Sequence, residues 1–120
     1  MKYLCLIYTE EKAMYARPAA ELDAIAGECV GFDEALKRAG QFIACERLQP
    51  VSTAATVRLR DGKVSVTDGP FAETKEQLAG FYLIEARDLN EAIRLAAKIP
   101  PARLGSVEVR PVWQYEPSAP

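Results

Sequence analysis

Apolar and polar positions alternate with a period that changes along the chain, from two to about three and a half and back. Lys2 to Tyr8 forms an apolar block of the kind that makes a buried strand. Arg17-Pro18 then opens a helical stretch in which Leu22, Ile25, Cys29, Phe32 and Leu36 recur at steps of three and four, the stripe of a helix lying on a core. Gly27 and Gly31 interrupt it one turn apart. Each costs roughly 1 kcal/mol relative to alanine in a helix interior, and marks either close approach to another element or a weak point. Gly40 supplies a stop signal, and Gln41 to Glu46 reads as a second strand.

The sharpest local pattern runs from Thr56 to Thr67. Asp61-Gly62 suits a two-residue type I′ turn, whose two central residues both need positive φ. That turn sets Leu59 opposite Val64 and Val57 opposite Val66, with Arg58 and Ser65 on the other face, so register and hydrophobic pattern agree. Gly80 to Glu85 is a further apolar strand. Asp88 follows as a helix cap with Glu91 three residues on as its capping-box partner, and Leu89, Ala92, Ile93 and Ala96 are predicted to face inward. Pro100-Pro101 ends this helix, Ser106 to Val112 forms the last strand, and the final residues are read as a frayed tail.

With the hairpin set aside, the order is strand, helix, strand, strand, helix, strand. This predicts an α+β, ferredoxin-like βαββαβ fold with an inserted β-hairpin, one domain over 1–115 and a tail over 116–120. Such a sheet carries both helices on one face. The apolar residues of its strands leave the other face in need of cover, which a homodimer packed sheet against sheet provides.

Composition narrows the function. Of 120 residues 49% are hydrophobic and 27% charged, the balance of an ordinary globular protein. Seventeen acidic against fifteen basic residues give no positive field for nucleic acid or anionic lipid. The opening apolar block is too short for a signal peptide, and no run reaches the roughly 18 apolar residues that cross a membrane. A cytoplasmic protein is expected. Cys5, Cys29 and Cys45 form no CxxC pair and read as buried reduced thiols. The absence of histidine removes His-based triads and the usual zinc sites, and no cofactor is expected.

The run Val66 to Glu76, containing Asp68-Gly69-Pro70-Phe71, and the segment Gly80-Phe81-Tyr82-Leu83-Ile84-Glu85 resemble the signature of the DGPF group of the YCII-related protein family. The similarity extends to Glu46-Arg47-Leu48-Gln49-Pro50, Thr56-Val57-Arg58 and Val107 to Val112. The resemblance implies a ferredoxin-like domain that pairs into a dimeric α+β barrel. It implies lyase-like chemistry on small molecules for some members, with a His-Asp pair that this chain lacks, and for others an association with extracytoplasmic-function sigma factors.

Two readings of the DGPF loop stay open. Gly69-Pro70 makes a structural corner, which Asp68 can hold by an Asx-turn. Alternatively Asp68, Glu73 and Lys75 form a catalytic cluster, Asp68 as base and Lys75 neutralising an anion. In that case Glu46, Arg58 and Arg110 bind an aromatic or carboxylic ligand, and Phe71 and Tyr82 wall its cleft. Asp68, Glu73 and Glu46 match no metal-binding loop, so no metal is assigned. Trp113 and Tyr115, beyond the last strand, are read as interface aromatics. The expected protein is therefore either a small-molecule enzyme or binder, or a regulatory partner module.

Overall fold

The computed structural model describes residues 1–115. Its elements run β1 (Lys2–Thr9), α1 (Glu11–Tyr15), α2 (Ala19–Arg38), β2 (Phe42–Arg47), β3 (Ala55–Arg60), β4 (Lys63–Asp68), β5 (Gln77–Glu85), α3 (Leu89–Ala96) and β6 (Gly105–Pro111), with 3₁₀ turns at Val51–Thr53 and Pro100–Leu104. The main sheet is antiparallel with strand order β2-β5-β1-β6, and β3 and β4 form a separate hairpin. This is the predicted α+β, ferredoxin-like arrangement with its inserted hairpin. The tail expected over 116–120 lies outside the described residues. Among the described residues no helix is long and apolar enough to cross a membrane.

Alternation assigns the two faces of the sheet. Tyr3, Cys5, Ile7 and Thr9 of β1 are buried under the helices together with Tyr82 and Ile84 of β5. Leu36 of α2 and Ala92 and Ala96 of α3 close this core, with Ile99 beyond them. On the opposite face Leu4 pairs with Leu83 and Leu6 with Phe81. These four side chains are half-buried and lie on the face opposite the core that α2 and α3 close.

Two close backbone approaches shape the end of the sheet from which α1 departs. A Cβ on Gly105 would sit 2.0 Å from the Tyr8 carbonyl oxygen, and one on Gly80 would sit 2.6 Å from that of Glu46. Only glycine lets those strands meet. Gly27 and Gly31 differ: nothing lies within 4 Å of the Cβ either would carry. They are weak points of α2, and no element approaches them closely.

The hairpin has the predicted register, Val57 opposite Val66 and Leu59 opposite Val64, with Asp61 at φ 51° and Gly62 at φ 73°. It projects from the main sheet and every residue of β4 is exposed. The radius of gyration, 16.9 Å, exceeds the about 14 Å of a compact chain of this length, and the projecting hairpin contributes to the excess.

Three expectations are corrected. Leu89 and Ile93 are exposed; the inner edge of α3 is Ala92, Leu95 and Ala96, because two small residues one turn apart let the helix lie close on the sheet. Asp88 does cap α3 by accepting from the Glu91 N–H at 2.8 Å, but the Glu91 carboxylate returns to the Arg87 N–H at 2.9 Å, one residue before the cap. The third concerns the thiols: Cys5 is buried, whereas Cys29 and Cys45 are half-exposed.

Candidate functional site

Helix α2 is laid across the sheet without filling the space beneath it. Of its apolar stripe only Ile25 and Leu36 are buried, while Leu22, Cys29 and Phe32 remain half-exposed. The unfilled space is a cleft of about 520 Å³. Leu22, Ile25, Cys29 and Asp33 of α2 form one wall, Ile7, Thr9, Cys45 and Tyr82 of the sheet the other, and Glu11, Met14 and Tyr15 of α1 border it. Its size and largely apolar lining are those of a small-molecule pocket.

Asp33 is the polar centre of this cleft. The Tyr82 hydroxyl donates to Asp33 Oδ1, and the Cys45 thiol donates to Oδ2 at 3.7 Å. Phe32 packs edge-on against the Tyr82 ring, centroids 5.3 Å apart, and fixes its orientation. Burial, then the hydrogen bond to Asp33 and its charge, push the Tyr82 hydroxyl above the ordinary tyrosine value, so Tyr82 keeps its proton. Cys45 is raised by burial and by Asp33. Cys29 is raised by burial, Asp33 and Glu28, against the opposing charges of Arg103 and Arg47. The thiols are therefore protonated neighbours of a carboxylate. They are not poised nucleophiles.

α1 is held at the border by two bonds of one residue. The Glu11 N–H donates to Gln77 Oε1 at 2.9 Å, and Glu11 Oε1 accepts from the Val51 N–H at 2.8 Å.

Of the residues singled out from the sequence, Tyr82 lines this cleft, Glu46 borders it from a position paired with Phe81 whose side chains face away from the helices, and the other six lie elsewhere. Lys75 borders a shallow depression with Glu76, whose carboxylate accepts from the Ser106 hydroxyl at 2.8 Å. Asp68 and Glu73 are exposed. Phe71 is 80% exposed, with the Arg58 guanidinium 6.0 Å from its ring centroid. Arg110 pairs with Glu108 on the sheet face away from the helices.

The DGPF loop is built as a corner. Gly69 has φ 103°, its N–H donates to the Ala54 carbonyl at 2.7 Å, and the Gly69 carbonyl accepts from the Thr56 hydroxyl at 2.8 Å. Among the described residues Asp68 makes no side-chain hydrogen bond, so the glycine and Thr56 hold the turn and no Asx-turn does. No group of three His, Cys, Asp or Glu side chains among the described residues is placed to hold a metal ion.

Sequence reasoning passed over Asp33. It stands four residues after Cys29 and three before Leu36, on the inner arc of α2. An acid on the apolar face of a helix was the signal available.

The model of the YCII-related domain family matches residues 1–116. An uncharacterised protein of Rhizobium meliloti (strain 1021) is 40% identical over 119 residues, covering 98% of this chain and 96% of that protein.

Proposed function

Because the chain belongs to the YCII-related family, we propose that it binds a small organic molecule in the cleft beneath α2 and that Asp33 and Tyr82 carry out acid/base chemistry on it. The hydrogen-bonded pair within a cleft of about 520 Å³ carries the reading. Asp33 offers the acceptor lone pairs of a base, and Tyr82, which keeps its proton, orients that carboxylate by donating to it, in a chain with no histidine. A lyase-like step, removing a proton beside a leaving group, fits such a pair. The motif Asp68-Gly69-Pro70-Phe71 argues for the DGPF group within the family.

The working unit is proposed to be a homodimer. Leu4, Leu6, Phe81 and Leu83 form an apolar strip beside the Glu108–Arg110 pair on the sheet face away from the helices, and a second copy packed on it removes that strip from water. Three unpaired cysteines suit a reducing compartment, the cytoplasm.

A second reading, a regulatory module associated with an extracytoplasmic-function sigma factor, is favoured by the projecting hairpin. Val57, Leu59, Val64 and Val66 share one of its faces and are each at least 63% exposed.

The test is a fragment titration of the isotopically labelled protein by NMR. Shifts clustered on Asp33, Cys45 and Tyr82, together with turnover that Asp33→Asn abolishes, are expected. Ligands that gather at the hairpin and leave the cleft unmoved would favour the second reading.

A further inference from the structure

Asp33 presents a half-buried carboxylate to the cleft with two neutral donors and no cation. Tyr82 and Cys45 each donate to one of its oxygens. Among the described residues no lysine, arginine or amino terminus comes within ion-pairing distance of it. A carboxylate oxygen accepts about two hydrogen bonds, so each retains room for one more. Of the rest of the lining, Glu11 and Asp23 are acidic and Arg47 is cationic, while Glu46, paired with Phe81, directs its side chain to the other face of the sheet. A negative potential in a space with apolar walls favours a positive ligand and opposes a carboxylate. Burial is the main cause of the upward displacement of Tyr82, Cys29 and Cys45, and Asp33 adds to each, against Arg103 and Arg47 at Cys29 and Lys37 at Cys45.

We infer that the cleft selects a compact amine, its ammonium group on Asp33 and its apolar body against Ile7, Met14, Leu22 and Ile25. The inference rests on the cleft being the ligand site. It reverses the sign of the anionic ligand expected from the sequence. An ammonium ion satisfies the free acceptor positions of Asp33 with charge-assisted hydrogen bonds, while Tyr82 and Cys45 keep their protons and hold the carboxylate in place. A carboxylate ligand finds only Arg47 in the lining to answer it, and faces Asp33 unpaired.

The test compares benzylamine, benzyl alcohol and benzoate, probes of one shape that differ in head-group charge, by NMR titration of the labelled full chain. Benzylamine is expected to shift the amides of Asp33, Cys45 and Tyr82 and to bind about tenfold or more tightly than benzoate, with benzyl alcohol between them. The ratio falls toward one in Asp33→Asn, which still offers Tyr82 an acceptor. If that variant fails to fold, salt decides in the parent protein, since benzylamine binding must weaken as ionic strength rises. Benzoate binding at the same amides as tightly as benzylamine overturns the amine inference and leaves the cleft a ligand site. If none of the three moves these amides, the inference and the ligand-binding reading fall together.

Discussion

Tyr82 and Asp33, 49 residues apart in the chain, meet through one hydrogen bond that joins the middle of β5 to the inner arc of α2. It ties the helix to the sheet at the place where apolar packing gives way to the cleft.

Removing that donor leaves the Asp33 carboxylate with Cys45 alone. Tyr82→Phe keeps the ring and its edge-on contact with Phe32, so the loss isolates the hydroxyl. Hydrogen bonds to charged groups contribute about 1.5–3 kcal/mol. Urea unfolding should show a loss in the lower half of that range, because Asp33 is only half-buried. An unchanged midpoint would show that the bond holds nothing.

Stability should fall on the alkaline side. Burial pushes the Cys5 thiol up from 9.0 to about 11, and Cys29, Cys45 and Tyr82 are displaced in the same direction. Each group binds its proton more tightly folded than unfolded. Its contribution is therefore complete below the unfolded value and is lost as pH rises through the folded one. Melting temperatures should decline from about pH 9 upward. Cys5→Ser, a thiol replaced by a hydroxyl that does not titrate in this range, should flatten part of that decline.

Two glycine substitutions should act in opposite directions. Gly105→Ala places a Cβ against the Tyr8 carbonyl, 2.0 Å away, and the β1–β6 pairing must shift to admit it. A loss of about 3 kcal/mol or more is expected. Gly27→Ala meets nothing within 4 Å in a helix interior and should gain about 0.5–1 kcal/mol. Differential scanning of the two variants beside the parent checks both signs.

The apolar strip of the sheet predicts association. Sedimentation at micromolar concentration should give a mass near twice 13.2 kDa. Leu6→Glu, whose side chain points away from the helix-covered core, should shift that mass toward the monomer and leave the far-UV circular dichroism intact. A parent protein that sediments as a monomer defeats the dimer.

Much of the fold was legible because its signals are local. Asp61-Gly62 determines the hairpin register within a dozen residues, and Asp88 caps α3 through a bond spanning three. The inner face of α3 was misread because Leu89 and Ile93 outweigh two alanines in hydrophobicity, whereas close packing on a sheet rewards small size. The cleft was harder to foresee. Asp33 shares the apolar arc of α2 with Cys29 and Leu36, and only tertiary structure brings it to Tyr82 and Cys45. The DGPF loop drew attention through its density of charges, but charge in an exposed corner is solvated.

Glu11 holds the border of the cleft. Its two hydrogen bonds, to Gln77 and to the Val51 N–H, clasp α1 to two other segments of chain, and each is worth about 1 kcal/mol net. Losing both together would cost about 2 kcal/mol. Opening the clasp then needs only the fraying of a five-residue helix, well short of global unfolding.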